Sequence, residues 1–322
     1  TQAYRQPGST FKPFVYSAAL EKGFTPATVI NDAPLSFDAA ETGSQAWEPK
    51  NYDGTFDGPM SMRRALTKSK NLVSIRIIQA IGPQYAQDYV TRFGFERKLI
   101  PAYLTMALGA GSVTVMQMAA GYASFANGGL KVTPFHVDRI TDAKGKVIEK
   151  HVTREAVRAI DPRNAFLMTS MMQDVIQEGT AARAKKLGRS DLAGKTGTTN
   201  DQLDAWFAGY CPRLVAVAWI GYDTPRSLGP KETGGVAALP IWMDYMSRAL
   251  ANIPDEGFVA PEGVVAANVN PASGMRSEKG DGRVLEYFYQ ESVPPEEGGD
   301  GSAVDGGAKH DGKGTDHDDQ LY

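Results

Sequence analysis

The chain of 322 residues is poor in the groups that build metal centres and disulfides: it holds one cysteine, Cys211, and four histidines. A single cysteine excludes an internal disulfide and any multi-cysteine metal site. The histidines are His136, His151, His310 and His317, and no glycine-framed serine lies near any of them. Nothing therefore points to a Ser-His-Asp arrangement. Long apolar runs are also missing. The longest, Leu214 to Ile220, suits a strand and falls far short of the roughly 20 residues that span a bilayer. The first residues, Thr1-Gln-Ala-Tyr-Arg-Gln-Pro-Gly8, are polar and turn-like and carry no secretory signal pattern. No stripe of Lys and Arg with interleaved aromatics appears, so nucleic acid is not an expected partner.

The composition is that of a globular protein, with 42% hydrophobic and 22% charged residues. The net charge of −3 conceals an imbalance. Residues 291–322 carry nine acidic side chains against Lys309 and Lys313, which leaves a mildly basic body.

Apolar spacing predicts helices over Thr10–Lys22, Ser61–Leu66, Leu72–Ile81, Gln84–Phe93, Val113–Phe125, Asp161–Gln177 and Leu239–Ala251. Asp161-Pro162 supplies an N-cap followed by proline in the first turn. Ser9 is expected to cap the first helix, where Pro13 is harmless because it also falls in the first turn. Residues 24–60 read as irregular connections. A hairpin is expected over Phe135–Lys150 with its turn at Asp142–Gly145, and an antiparallel meander over Leu192–Thr198, Ala205–Tyr210 and Leu214–Tyr222. Two short strands follow at Val264–Val269 and Val284–Tyr289. Helices gathered early and strands late indicate an α+β fold, an antiparallel sheet covered by helices. From Gln290 onward the Gly/Asp/Glu/His-rich sequence reads as a disordered tail, and its His310–Asp319 stretch as solvated and not a metal site.

Three short motifs carry chemistry. Ser9-Thr10-Phe11-Lys12 sets a hydroxyl and an amine three positions apart at a helix start, hence on one face. A serine hydroxyl becomes a useful nucleophile when a neighbouring base takes its proton. Lysine can be that base if burial or a nearby cation keeps it neutral. Such a pair is expected about once by chance in a chain this long. Ser69-Lys70-Asn71 sits between two helical patterns. Lys195-Thr196-Gly197-Thr198 lies in the first strand of the meander, and Lys-Thr-Gly has a chance expectation of only about 0.1. A glycine within a strand also permits close backbone approach. Trp206, Phe207 and Trp219 are read as sheet core.

In this order the motifs are the signature of penicillin-binding proteins and class A β-lactamases. Arg5–Pro13, Thr67–Asn71, Gly194–Asn200, Asp204–Phe207, Asn127–Gly129 and Asn270–Gly274 resemble class A penicillin-binding proteins, the bifunctional cell-wall synthases, over about Tyr4 to Tyr289. The resemblance implies the β-lactamase/transpeptidase-like fold with an all-helical subdomain. It also implies a D,D-transpeptidase acting on D-Ala-D-Ala stem peptides and inhibited by β-lactam antibiotics. Ser9 would then be the nucleophile and Lys12 its proton acceptor. Ser69 would be the relay to the leaving group, with Lys195 tuning the local charge. Asn71 would hold the donor peptide, the Thr196 and Thr198 hydroxyls would suit its terminal carboxylate, Gly197 would belong to the same substrate-binding strand, and the N–H groups of Ser9 and Thr198 would form the oxyanion hole.

Deacylation by class A β-lactamases uses a glutamate followed four residues later by asparagine. Between Asn71 and Lys195 the glutamates are Glu96, Glu149, Glu155 and Glu178, followed at that distance by Ile100, Thr153, Ala159 and Ala182. None fits, which leaves a D,D-carboxypeptidase or a non-catalytic penicillin sensor as alternatives. No cofactor is expected. Partners implied are stem peptides, β-lactams and activator proteins of cell-wall synthesis. A membrane would be met only through an anchor outside this chain, at the periplasmic face of the inner membrane. Residues 1–253 are expected to form the transpeptidase domain, 254–289 an extension with short strands, and 290–322 the tail. Because the family places sheet strands before Ser-x-x-Lys, a truncated domain short of one or two strands is also expected.

Overall fold

The strand Asp204–Cys211 (β6) carries large apolar side chains on both faces, and that alternation organises the architecture. In the computed structural model, which describes residues 2–39, 45–152, 155–278 and 282–298, β6 is the middle of a three-stranded antiparallel sheet between Ala193–Thr198 (β5) and Leu214–Gly221 (β7). Its register sets Lys195 opposite Ala208 and Trp206 opposite Trp219. Trp206, Ala208 and Tyr210 enter one core and Ala205, Phe207 and Cys211 the other. Such period-two partition is what a sheet covered on both faces requires. Trp206 and Phe207 are fully buried, and Trp219 is partly so, as expected for sheet core.

The first face is covered by Val115–Ala126 (α5) and Pro162–Gln177 (α6), and Lys12–Glu21 (α1) packs in the same core behind the Gly8–Phe11 turn. Every residue of α1 from Lys12 to Leu20 is buried. It is mostly apolar and buried all round, with Lys12 and Ser17 as buried polar exceptions. Phe14 is packed by the rings of Phe11, Phe93, Phe95, Tyr122 and Phe125. The other face is covered by Leu239–Ala249 (α7), whose Trp242 donates its indole N–H to the Ala216 carbonyl at 3.1 Å. Helices Met62–Thr67 (α2), Asn71–Ile81 (α3) and Pro83–Val90 (α4) surround the α1 side. As expected, Asp161 caps α6, accepting from the Arg163 N–H at 2.8 Å, with Pro162 next. A capping box of Thr114 and Gln117 starts α5.

The segment 24–60, expected to be irregular, contains an antiparallel pair, Val29–Asp32 (β1) with Gly58–Ser61 (β2), and a bridge between Phe37 and Trp47. Strands of four residues that include Asn31, Asp32, Gly58 and Pro59 show no readable alternation. The hairpin Arg139–Thr141 (β3) with Val147–Lys150 (β4) stands as expected, with its strand residues exposed. Its His151 stacks on Phe135.

Val264–Val269 (β8) pairs with Val284–Tyr289 (β9). Order continues past Gln290, where a tail was expected: Gln290–Ser292 forms a 3-10 turn, and Glu297 accepts from Asn270 and Ser273. The chain folds back here because Glu296 and Glu297 find partners on the β8 side. Residues 299–322, including His310–Asp319, lie outside the described residues. Among the described residues no helix is long and apolar enough to cross a membrane.

Arg63 of α2 ties the C-terminal hairpin to the body. Its guanidinium pairs with Glu286 of β9 and with Asp174 of α6, and Glu286 is only 3% exposed. Removing one partner of a buried pair leaves the other uncompensated. Arg63→Ala is expected to lower unfolding free energy by about 3 kcal/mol, measured by denaturant titration, whereas a loss below about 0.5 kcal/mol would mean that Glu286 is solvated.

Candidate active site

Ser9 does not cap a helix. It lies within the 3-10 turn Gly8–Phe11, Pro7 stands at the cap position, and α1 begins only at Lys12. The 3-10 turn nearly eclipses positions three apart, so Ser9 and Lys12 remain on one side. Among the described residues the Ser9 hydroxyl has no hydrogen-bond partner, Lys12 included. It lines a cavity of about 870 Å³ together with Ser69, Asn71, Thr196 and Thr198. Neither His136 nor His151 reaches that cavity.

Beneath Ser9 lie two wholly buried amines. Lys12 Nζ donates to the Ser69 carbonyl at 2.7 Å and to Asn71 Oδ1 at 2.8 Å, with the Lys70 carbonyl at 3.2 Å and Ser69 Oγ at 3.4 Å. Lys195 Nζ donates to Ser69 Oγ at 2.8 Å and to the Thr196 carbonyl at 3.2 Å. The Ser69 hydroxyl thus stands between both amines, which come from positions 57 and 126 residues away. Ser69 itself has φ +59, a left-handed conformation at the turn between α2 and α3. A non-glycine residue there costs about 1–3 kcal/mol and persists only where its surroundings fix it.

Burial, then the nearby Lys195 charge, drives the Lys12 pKa well below the ordinary lysine value, while Asp32 opposes them. Burial alone brings Lys195 down to about 7. Two amines at this proximity titrate as a pair. Burial and the Lys195 charge both favour the neutral amine at Lys12. A neutral amine has two N–H donors, and the two short acceptors, Ser69 O and Asn71 Oδ1, use both. Its lone pair is then left for a hydroxyl proton.

Asn71 corrects the expectation for its side chain. Its Oδ1 is committed to Lys12 and one Nδ2 hydrogen to the Lys50 carbonyl at 2.8 Å, leaving a single N–H for a ligand. Gly197 departs further. A Cβ there would stand 2.5 Å from the Pro7 carbonyl and 2.8 Å from Thr10 Cγ2, and Gly197 is not among the cavity-lining residues. Its missing side chain lets β5 approach the nucleophile's own turn, not a ligand. Thr198 Oγ1 accepts from the Gly234 N–H at 3.1 Å, so its hydrogen can point to the cavity. Thr196 Oγ1 shares a hydrogen bond with Thr180 Oγ1 at 2.6 Å. Thr199 N donates to Asp204 O at 3.1 Å. Hydrogen-bonded pairs alternate along an antiparallel ladder, so the neighbouring Thr198 N–H faces away from β6.

The motifs did not reveal Asp32, Asn51, Lys70 or Thr180. Lys70 is buried, and its ammonium contacts Asp32, Asp53 and Asp57 at 3.2–3.3 Å. Asn51 Oδ1 accepts the Asn71 N–H at 2.8 Å and so caps α3 from a distant loop. Only the position of Lys70 between Ser69 and Asn71 hinted at any of this. Among the described residues no cluster could hold a metal ion.

A family model described as penicillin binding protein transpeptidase domain matches residues 1–242. Penicillin-binding protein 1A of Neisseria lactamica is 52% identical over 272 residues, covering 83% of this chain and 34% of the relative. That of Pseudomonas aeruginosa is 42% identical, covering 91% of this chain and 42% of the relative. The chain thus spans well under half the length of these curated relatives. Among solved structures, penicillin-binding protein 1A from Haemophilus influenzae superposes with a TM-score of 0.87 at 35% identity, over 91% of this chain and 49% of that one. The Mycobacterium tuberculosis PonA1 protein in complex with penicillin V gives 0.70 at 26% identity, over 85% of this chain and 75% of that one. The two-faced sheet, the buried amine pair and these matches lead to one assignment: the chain belongs to the penicillin-binding protein transpeptidase domain family, in its class A branch.

Proposed function

We propose that this chain is a D,D-transpeptidase that joins peptidoglycan stem peptides through an acyl-enzyme on Ser9. The observation that carries the reading is the meeting of two wholly buried amines on the Ser69 hydroxyl, below an unpartnered Ser9 hydroxyl in an open cavity. Ser9 Oγ attacks the carbonyl carbon of the penultimate D-Ala as its proton passes to Lys12. The developing oxyanion is met by the N–H groups of Ser9 and Thr198, a kind of stabilisation worth about 3–4 kcal/mol per donor. The C–N bond then breaks, and Ser69, recharged through Lys12 and Lys195, gives the departing D-Ala amine its proton. The amine of a second stem peptide attacks the resulting ester, and Ser9 leaves with a proton restored.

Thr198 and Thr196, beside Lys195, suit the terminal carboxylate of the donor. The free N–H of Asn71 suits its backbone carbonyl. A β-lactam acylates the same serine. The reading places the cavity at the periplasmic face of the inner membrane and keeps 1–253 as the transpeptidase unit with 254–298 as an ordered extension. The wider roles of the longer relatives, and any activator proteins, belong to the same proposal.

Incubation with a D-Ala-D-Ala peptide and a D-amino-acid acceptor tests it, with products separated by mass. Transfer to the acceptor is the expected result. Hydrolysis alone would make the chain a carboxypeptidase. A stable penicillin adduct without peptide turnover would make it a sensor.

A further inference from the structure

We propose that Lys70 is a positioning residue of the cavity: with Asp32 and Asn51 it clamps the Ser69 turn and neutralises the buried carboxylate that faces Lys12. The inference rests on the transpeptidase reading and deepens it. Lys70 lies between two site residues and lines the same cavity, and its ammonium is engaged by three carboxylates. Asp32, on β1, is wholly buried and accepts from Asn51 Nδ2 at 2.7 Å and from the Asp57 N–H at 3.0 Å, with Lys70 Nζ at 3.3 Å. Asn51 in turn accepts the N–H of Asn71. One connected set of charges and amides therefore holds Lys70 and Asn71, directly after Ser69. The backbone it fixes is the one Lys12 uses, since the carbonyls of Ser69 and Lys70 are both acceptors for Lys12 Nζ. The strained φ of Ser69 needs such over-determination.

The clamp has an electrostatic side. The charged groups that face Lys12 are Lys195 from β5, which lowers its pKa, and Asp32 from β1, which raises it. Those that face Asp32 and Lys70 are Asp53 and Asp57 of the loop before β2. The Tyr16 phenol of α1 also lies near, kept neutral by burial. Burial works against the Lys70 charge, but its hydrogen bonds to Asp53 and Asp57 outweigh it, so Lys70 remains an ammonium. It answers the Asp32 charge, and the amine at Lys12 is spared a lone buried anion. Without Lys70, that anion would favour the protonated form of Lys12, which cannot act as a base.

The test is the pH dependence of Ser9 acylation, followed with a fluorescent penicillin. Acylation rises with pH as the amine pair loses its proton, so the acid limb reports that pair. Lys70→Met is expected to move the limb upward by about one pH unit, a loss of about tenfold on that limb. Lys70→Arg should restore the unchanged profile. Asp32→Asn should move the limb the other way, to lower pH. A merely structural clamp predicts slower acylation with the limb in place. That result in Lys70→Met and Asp32→Asn, or shifts of the same sign in both, overturns the proposal. If Lys70→Met fails to fold, the sign of the Asp32→Asn shift decides alone. Failure of the transpeptidase reading is distinct, because the unchanged chain would then show no acylation at any pH.

Discussion

A Ser9→Ala chain incubated with a penicillin is expected to carry no covalent adduct, and a Lys12→Met chain to form one about 10³-fold more slowly than the unchanged protein. Alanine removes the only atom that can bond to the β-lactam carbonyl and leaves the 3-10 turn otherwise undisturbed. Methionine keeps nearly the length and apolar bulk of Lys12 but has no amine to receive the Ser9 proton. The Ser69 hydroxyl does not rescue the step, since it is itself a poor base. Intact-mass spectrometry after timed quenching measures both variants. Lys12→Met also deprives Ser69 O and Asn71 Oδ1 of their buried donor, at a cost of about 1–3 kcal/mol. A melting curve run beside the kinetics separates lost chemistry from lost fold. A folded Lys12→Met chain that acylates at the unchanged rate would transfer the base role to another group. The unchanged protein should lose acylation on acidification from about pH 7, where Lys195 regains its proton and the amine pair begins to recharge.

The elements that build the site were readable in the sequence where a local rule decides them. Asp161-Pro162 marked the start of α6, and the apolar spacing of residues 10–22 marked α1. The meander showed itself through Leu192–Tyr222. The three motifs gave Ser9, Lys12, Ser69, Asn71 and Lys195, all of which meet at one place. Non-local contacts stayed hidden. No pattern within 24–60 shows that Asp32 and Asn51 belong beside Lys70, because they are joined only when β1, the following loop and α3 come together. Gly197 and Asn71 show the complementary limit. Their residue types suited a ligand, but Gly197 is used for backbone packing, and the Asn71 amide is largely taken up by Lys12 and the Lys50 carbonyl. Nor did the sequence show that Ser9 would sit inside a 3-10 turn. That depends on Gly8, which adopts φ +54 and packs where a Cβ would be 2.7 Å from the Thr198 carbonyl.

That same packing sets the second large effect. Gly109→Ala is expected to slow Ser9 acylation about 100-fold, although residue 109 lies outside all three motifs. Its backbone has φ +78, and a Cβ would stand 2.1 Å from the Gly8 carbonyl oxygen and 2.6 Å from the Gly8 nitrogen. Neither atom is the end of a flexible side chain, so the backbone itself must give. Gly8 has little room to move, because it is itself packed closely against the Thr198 backbone. The movement therefore passes to Ser9, the next residue, and to the N–H of Thr198. A displacement of about 1 Å at a nucleophile suffices for a loss of this size. The left-handed φ adds about 1–2 kcal/mol of strain for any residue with a Cβ, and this part needs its own control. Gly145→Ala supplies it: φ is +81 at the tip of the outlying hairpin, with no atom within 4 Å of the added carbon. Both variants should lose similar stability from backbone strain, but only Gly109→Ala should lose acylation. If Gly109→Ala acylates normally, the three stacked backbones yield without moving Ser9. The nucleophile turn would then be held by the Trp206 N–H bond to the Gln6 carbonyl and the Tyr122 hydroxyl bond to the Thr10 carbonyl, not by glycine packing.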